Sequence, residues 1–172
     1  DGSVLWLLES NEWRKKNLCR EAINRGISSD RLVFTRRVTK EKYLAQFRQA
    51  DLFLDTFTYN AGATASNALW AGLPVLTKLG KSYTARMASS LLTSLGLPDL
   101  ITKSELEYEE LALQLGKDSK RLSAVRQRLS DNRLSKPLFN TELFTKHLEE
   151  GYRQAYQNYM DYQKPKIIYV KP

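Results

Sequence analysis

Short apolar runs alternate with longer amphipathic stretches over the first hundred residues of the chain. The apolar runs are typical of strands buried on both faces, and they span residues 3–8, 31–35, 51–55, 74–77 and, more weakly, 100–101. The intervening stretches have helical periodicity and span residues 11–25, 39–50, 62–71 and 82–95. Strands and helices that alternate at this spacing form βαβ units with right-handed crossovers. The pattern therefore predicts an α/β fold with a doubly wound, mostly parallel, Rossmann-like sheet.

The last third of the chain has a helical pattern. Ser104 and Glu107 are spaced as in a capping box and predict the start of one helix, and a second helix is predicted over residues 120–131. Asn140 is a suitable N-cap for a long helix that reaches about residue 162. We predict a Rossmann-like lobe over residues 1–135, with a C-terminal helix and tail, residues 136–172, packed on it. Because the chain begins almost directly on a strand, we expect it to be cut from a longer polypeptide.

The composition excludes several classes of protein. Hydrophobic residues make up 42% of the chain, which is enough for a sizeable core. No apolar run approaches the roughly 20 residues that are needed to span a bilayer. The single cysteine, Cys19, precludes an internal disulfide, and no Cys/His cluster suggests zinc. We therefore expect a reducing, cytoplasmic compartment, no bound metal and no membrane association.

The chain is basic, with a formal net charge of +8, a feature of many proteins with polyanionic partners. Its lysines and arginines are scattered, however. They show no interleaving with aromatic residues, no zinc-finger spacing and no helix-turn-helix pattern. A nucleic-acid-binding domain is therefore the least favoured interpretation. A solvated basic face, or attraction for phosphate-bearing ligands, is favoured instead.

Two loops follow predicted strands at positions where open parallel sheets bind their ligands. The first covers residues 35–40 and is basic, and the second covers residues 55–64. Small residues at 61–63 let a ligand approach the backbone of the second loop, which leads into a helix whose first amides lack intrahelical acceptors. Those amides, the helix dipole and the Thr64 hydroxyl favour an anion such as phosphate. A tight loop-to-helix turn needs the same small residues, so composition alone leaves both interpretations open.

Three other motifs are assigned no function. Residues 80–82 (Gly-Lys-Ser) end like a P-loop, but the earlier glycine which that motif requires is Val75. His147, the single histidine, is predicted to be a surface or interhelix residue. A packing stripe is predicted from three tyrosines at helical spacing, Tyr152, Tyr156 and Tyr159.

Residues 54–77 form the most distinctive segment and read LDTFTYNAGATASNALWAGLPVLT. The segment closely resembles the nucleotide-sugar motif of the O-GlcNAc transferase/SPINDLY family, in which a Leu-Asp-Thr start and a Leu-Trp-Ala-Gly-x-Pro end bracket a Gly-His-Thr-Thr segment. Residues 86–92, 95–101 and 137–141 are similar to the later blocks of that family, in the same order. The resemblance runs from about residue 3 to residue 162, which is nearly the whole chain.

This resemblance implies a GT-B glycosyltransferase, in which two Rossmann-like lobes hold a UDP-sugar donor, usually UDP-N-acetylglucosamine, in the cleft between them. The chain would be the second lobe, and the N-terminal lobe of the same polypeptide, usually preceded by TPR repeats, would lie upstream. The implied reaction is an inverting sugar transfer to an acceptor protein or small molecule, without a metal or further cofactor. The family's essential phosphate-binding lysine and other catalytic candidates would also lie upstream, so no catalytic residue is assigned here.

The resemblance also implies donor contacts on the first of the two loops and the helix after it. Lys40 would contact the ribose and diphosphate region, and backbone groups near Val38 would bind the uracil edge. Tyr43 stands where the family commonly has a histidine packed against the uracil, and its aromatic ring can keep that stacking role. Gln46 replaces the family's arginine near the uracil edge.

On the second loop, the resemblance implies that Gly62, Ala63 and Thr64 line the diphosphate and that Asn67 reaches the ribose hydroxyls. Here Gly62-Ala63-Thr64 replaces the family's His-Thr-Thr, so two side-chain donors to phosphate are missing. Asn67 replaces the ribose-binding aspartate and carries no charge. Besides an active donor-binding lobe, a degenerate lobe that serves as a scaffold or interaction module therefore stays open.

Overall fold

The computed structural model describes residues 2–170, in which strands and helices alternate before a helical C-terminal part. The strands are β1 (Leu5–Leu8), β2 (Leu32–Thr35), β3 (Phe53–Leu54), β4 (Val75–Lys78) and β5 (Ile101–Thr102). The helices are α1 (Glu12–Asn24), α2 (Lys40–Phe47), α3 (Ala63–Ala71), α4 (Met87–Ser94), α5 (Glu105–Lys117), α6 (Ser119–Arg133) and α7 (Thr141–Met160). Short 3-10 turns lie at Ser29–Arg31, Thr84–Arg86, Pro98–Leu100 and Pro137–Phe139.

The described strands pair in parallel and form two sheets. β1 pairs with β2, with Leu5 opposite Leu32 and Leu8 opposite Thr35. In the second sheet β4 lies between β3 and β5. Parallel strands joined by helices, followed by a helical C-terminus, confirm the predicted fold class. The predicted mostly parallel sheet is thus divided in two, because β1 and β3 are not hydrogen-bonded to each other.

The hydrophobic core is formed by the helices and turns that cover the second sheet. Its fully buried leucines come from α3, α4, α5, α6 and the segment between α4 and β5, and they are Leu69, Leu92, Leu95, Leu97, Leu100, Leu115 and Leu129. Burying one leucine side chain stabilises a fold by about 1.5–3 kcal/mol. This cluster therefore holds the loops that follow β3 and β4 on a rigid base.

The unit made of β1, α1 and β2 lies outside that core. No residue from 2 to 50 is buried, and Leu5 and Leu8 of β1 keep 46% and 41% of their surface exposed. The first apolar run is a strand as predicted, but the prediction that both of its faces are buried is wrong. Both faces of a parallel sheet are buried only where helices cover them. Here the described chain gives β1 one strand neighbour, β2, and no buried side chains around it.

The helices of the C-terminal part begin at the predicted caps. Asn140 accepts a hydrogen bond from the amide of Leu143 at 2.9 Å and caps α7. Ser104 accepts one from the amide of Glu107 at 3.1 Å and caps α5. The Glu107 carboxylate accepts from the amide of Lys103 at 2.8 Å, one residue before the cap. Local capping side chains therefore fix these helix starts.

Helix α7 presents aromatic side chains to solvent. Tyr152, Tyr156 and Tyr159 keep 67%, 65% and 75% of their surface exposed, so the predicted packing stripe is wrong for the described residues. Helical spacing aligns such side chains on one face whether or not another element covers that face. The tail returns to α7, where a Cβ placed on Gly151 would lie 3.6 Å from Cγ2 of Val170. Residues 171–172 of the predicted C-terminal part lie outside the described residues, and the division at residue 135 stays a prediction.

Candidate functional site

The loops after β3 and β4 leave the same edge of the second sheet and are hydrogen-bonded to each other. The amide of Asn60 donates to the carbonyl of Thr84 at 3.0 Å, which joins the two loops directly. Within the second of them, the amide of Gly80 donates to the carbonyl of Ala85 at 2.8 Å. Ligands of open α/β sheets bind at this carboxyl edge. The structure therefore presents one connected loop surface there.

Asp55 directly follows β3, and its side chain holds the loop after that strand in place. Its carboxylate accepts a hydrogen bond from the amide of Ala61 at 2.7 Å and another from the hydroxyl of Thr77 at 2.6 Å. Thr77, on β4, is itself held through its carbonyl, which accepts from the hydroxyl of Thr102 on β5 at 3.1 Å. Hydrogen bonds thus run from β5 through β4 to the loop. The sequence assigns Asp55 no role beyond the last position of the third apolar run and the first of the loop, and its position after that run was the available signal.

Burial raises the pKa of the Asp55 carboxyl above its ordinary value of 3.8, although the hydrogen bonds from Ala61 and Thr77 oppose that shift. A carboxyl group with a raised pKa in the folded state binds its proton more tightly there than in the unfolded chain. Its contribution to stability is present below pH 3.8 and is lost as the pH rises through the folded-state pKa. At neutral pH the ionised carboxylate therefore carries a stability cost.

Asp55→Asn removes this titration, so the variant should gain stability relative to the wild type as the pH rises from 3.8 towards neutrality. Carboxyl groups with lowered pKa values, such as Glu150, are common to both proteins and cancel in the difference. Urea denaturation at a series of pH values measures that difference. Asp30→Asn, at an exposed position, is the control for the loss of one surface carboxyl group. A difference between Asp55→Asn and the wild type that stays constant with pH would contradict the prediction.

Helix α3 begins at the end of the loop with its first amides unoccupied. The first intrahelical hydrogen bond runs from the amide of Ser66 to the carbonyl of Gly62 at 3.0 Å, and no side chain caps the helix. The amides of residues 63–65 therefore have no intrahelical acceptor. Ala63 and Thr64 are exposed, whereas Gly62 is partly buried. Ala65 is fully buried, so the exposed start of the helix is at residues 63 and 64. The free amides there, the positive end of the helix dipole and the Thr64 hydroxyl form a surface suited to an anion.

Lys40 is the first residue of α2, directly after the loop that follows β2. Thr39 is the N-cap residue, but its side chain makes no capping hydrogen bond. Lys40 and Val38 are exposed, and Lys40 forms no ion pair within residues 2–170. A cation at a helix N-terminus is opposed by the helix dipole. The Lys40 charge therefore does not stabilise the helix, and it is available to an anionic ligand.

Tyr43 belongs to a short series of aromatic contacts that leads from α2 to the core. Its ring packs edge-on against Phe47, with ring centroids 4.8 Å apart, and Phe47 lies 6.4 Å from Phe53 of β3. Helix α2 also packs against α3, which carries the second group of predicted donor residues. Gln46 donates from its side-chain amide to the hydroxyl of Thr35 at 3.1 Å, so it is held against the end of β2.

The predicted site residues thus fall into two groups on adjacent helices. Gly62, Ala63, Thr64 and Asn67 lie together in the first turns of α3, where Asn67 is partly buried and its side chain makes no hydrogen bond to another described residue. The second group, Val38, Lys40 and Tyr43, lies at the start of α2. Helices α2 and α3 contact each other, and the roles of both groups stay predictions.

The described residues offer neither a metal cluster nor a membrane-spanning helix. Residues 2–170 contain no group of three or more His, Cys, Asp or Glu side chains that could hold a metal ion. The helices in this range also include none long and apolar enough to cross a membrane. The loop surface at β3 and β4, together with the start of α2, is the candidate site, because these residues follow the carboxyl ends of parallel strands.

Comparison with known proteins connects this site to a family. The model for Glycosyl transferase family 41 matches residues 1–148. The UDP-N-acetylglucosamine–peptide N-acetylglucosaminyltransferase of Caenorhabditis elegans is 31% identical over 157 residues, which are 91% of this chain and 14% of that protein. The probable enzyme of this kind named SEC in Arabidopsis thaliana is 32% identical over 169 residues, which are 98% of this chain and 17% of that protein.

A solved structure shows the same similarity. A mutant O-GlcNAc transferase from Thermobaculum terrenum superposes with a TM-score of 0.82 and 32% identity, covering 88% of this chain and 30% of that one. The chain therefore spans a minor part of each of these proteins. The family match over most of the chain, together with these relatives, shows that the protein belongs to glycosyl transferase family 41, the O-GlcNAc transferase/SPINDLY family that its motifs resemble.

Proposed function

We propose that this chain is the donor-binding part of an inverting, metal-independent glycosyltransferase that uses a UDP-sugar, with UDP-N-acetylglucosamine as the first candidate. The observation that carries the proposal is the uncapped start of α3 at the carboxyl edge of the second sheet. Homology to UDP-N-acetylglucosamine–peptide N-acetylglucosaminyltransferases supports the donor class and a protein acceptor. The N-terminal lobe of the same polypeptide would complete the cleft.

The chemistry expected of this part is stabilisation of the departing diphosphate. In an inverting transfer the bond from the sugar to the diphosphate breaks, and negative charge grows on the leaving oxygen. The free amides of α3, the Thr64 hydroxyl and the Lys40 ammonium are donors and charges that oppose that growth. None of these groups activates the acceptor, so no catalytic base is assigned to this chain.

The nucleoside end of the donor would lie toward α2. Backbone groups near Val38 would bind the uracil edge and the Tyr43 ring would pack against the base. The Phe47 ring packs edge-on against the Tyr43 ring, and this contact limits the motion of the Tyr43 ring before the ligand binds. The free side-chain amide of Asn67 can donate to and accept from ribose hydroxyls, so it can replace a carboxylate without supplying charge.

Calorimetric titration with UDP tests this proposal, both in the full-length protein that contains the chain and in the chain alone. Lys40→Ala and Thr64→Ala should each weaken UDP binding about tenfold, which corresponds to about 1.4 kcal/mol for one hydrogen bond to a charged group. ADP and GDP should bind more weakly than UDP. Lys120→Ala and Thr145→Ala, at exposed positions of α6 and α7 outside the site, are the matched controls and should bind UDP as the wild type does.

The chain alone is expected to bind UDP weakly and to show no sugar transfer, because the rest of the cleft lies on other parts of the polypeptide. Absence of UDP binding to the full-length protein at millimolar concentration would instead favour a degenerate lobe that acts as a scaffold. The specific observation in favour of that alternative is the loss of both side-chain donors at Gly62 and Ala63.

A further inference from the structure

Asp55 is a buried carboxylate whose charge is not balanced by a cation. Its residue surface is 4% exposed, and it forms no ion pair within the described residues. Its side-chain partners are the amide of Ala61 and the hydroxyl of Thr77. Buried carboxylates in proteins are normally paired with cations or metals, because removing a charge from water is costly. Asp55 therefore needs an explanation other than stability.

The hydrogen bond to Ala61 closes the loop between β3 and α3. Ala61 directly precedes Gly62, the N-cap residue of α3, so the carboxylate fixes the backbone at the point where the helix begins. Asn60 adds a second link within the loop, from its side-chain amide to the carbonyl of Thr56 at 2.6 Å. The carboxylate thus accepts from the amide of Ala61. The amides of residues 63–65, at the start of α3, have no intrahelical acceptors.

The main chain of Asp55 is held by a residue of α5. The hydroxyl of Tyr108 donates to the carbonyl of Asp55 at 3.0 Å. The Tyr108 ring packs edge-on against Phe57, with centroids 4.9 Å apart, and Lys78 lies over the Phe57 ring at 4.3 Å. Burial raises the pKa of Tyr108, so its hydroxyl stays protonated and remains a donor. Asp55 is therefore fixed through both its side chain and its backbone.

We propose that Asp55 is a positioning residue for donor binding, whose carboxylate anchors the amide of Ala61 so that the free amides at the start of α3 are held in place for the donor's diphosphate. This inference rests on the donor-binding function proposed above. The effect is indirect, because Asp55 holds the loop and does not touch the donor. Preorganised donors stabilise an anion more than mobile ones, since no reorganisation is needed when the ligand binds.

An amide side chain should replace the carboxylate in this role. In Asp55→Asn the side-chain oxygen can accept from Ala61, and the side-chain NH₂ can donate to the Thr77 hydroxyl, which then acts as acceptor. In Asp55→Ala both hydrogen bonds are lost, and the amide of Ala61 has no acceptor. The two variants therefore separate the hydrogen-bonding role from the charge.

The test is UDP titration of the full-length wild type and both variants, at a temperature where thermal melts show all of them folded. Asp55→Ala should weaken UDP binding at least tenfold, whereas Asp55→Asn should stay within about threefold of the wild type. Asp30→Ala, at an exposed position, is the control and should bind as the wild type does. Equal UDP affinity of Asp55→Ala and the wild type, or equal losses in both Asp55 variants, would overturn the positioning role.

A second measurement is independent of the donor. The amide proton of Ala61 should exchange slowly with solvent in the wild type and in Asp55→Asn, and rapidly in Asp55→Ala, as followed by NMR. Rapid exchange in the wild type would overturn the anchoring contact. A wild type that shows slow exchange but binds no UDP would instead refute the donor-binding function, and the positioning role in donor binding would fall with it.

Discussion

Replacement of Leu69 by alanine is expected to lower the free energy of unfolding by about 2–5 kcal/mol. Leu69 lies on α3 with none of its surface exposed, in the same buried cluster as Val75 and Leu92. Removing part of its side chain loses the free energy gained by transferring those atoms from water to the core. It also leaves a cavity that the close-packed surroundings fill only partly. Guanidinium denaturation followed by tryptophan fluorescence measures the loss, and Trp70 on the same helix is a suitable probe.

The matched control for this prediction is Leu106→Ala on α5. The chemical change is the same and the residue also lies in a helix, but Leu106 keeps 65% of its surface exposed. Its effect should stay within about 0.5 kcal/mol, the usual range for surface substitutions. Similar losses for both variants would contradict the placement of the core under α3, and with it the rigid base of the candidate site.

The elements of this fold could be predicted from sequence where their signals are local. Asn140 caps α7, and Gly72 ends α3 with a φ of +90°, a left-handed conformation that glycine adopts easily. The apolar run at β4 is buried as predicted. The two helix-end signals act within a few residues, so they needed no knowledge of the tertiary structure.

Strand burial and the anchoring of the loop could not be predicted in the same way. An apolar run shows that β1 can be covered, but whether it is covered depends on elements far along the chain. Asp55 meets Thr77 and Tyr108, which lie 22 and 53 residues further on. The carboxyl-edge rule singled out this loop as a candidate site, and only the folded structure shows which side chain holds it.

The departures from the family motif fall where side chains can be replaced by backbone. Gly62 and Ala63 offer no side-chain donor, yet the amides of residues 63–65 are provided by α3 whatever side chains these positions carry. Charge can be supplied from elsewhere, by Lys40 on α2. A site built on amides depends more on the position of its loop than on the motif's side chains, which makes the contacts of Asp55 and Gly80 more important.

Gly80→Ala is the second substitution for which a large effect is expected, a loss of about 1–3 kcal/mol of unfolding free energy. A Cβ on Gly80 would overlap Cβ of Ala85 and lie 3.2 Å from its carbonyl oxygen. Ala85 is buried, and the amide of Gly80 donates to its carbonyl, so neither backbone can move apart without breaking that hydrogen bond. Gly80 begins the Gly-Lys-Ser segment that resembles the end of a P-loop. The structure explains this glycine by the close approach of two backbone segments.

Gly80→Ala should also weaken UDP binding at the candidate site. Moving the turn at Thr84–Arg86 strains the hydrogen bond from Asn60 to Thr84, so UDP affinity should fall together with stability. Gly116→Ala is the control, because a Cβ there meets no atom within 4 Å and the position is helical. That variant should gain up to about 1 kcal/mol from the higher helix propensity of alanine. Guanidinium midpoints that shift in the same direction for both glycines would show that backbone propensity, and not overlap with Ala85, determines the effect at Gly80.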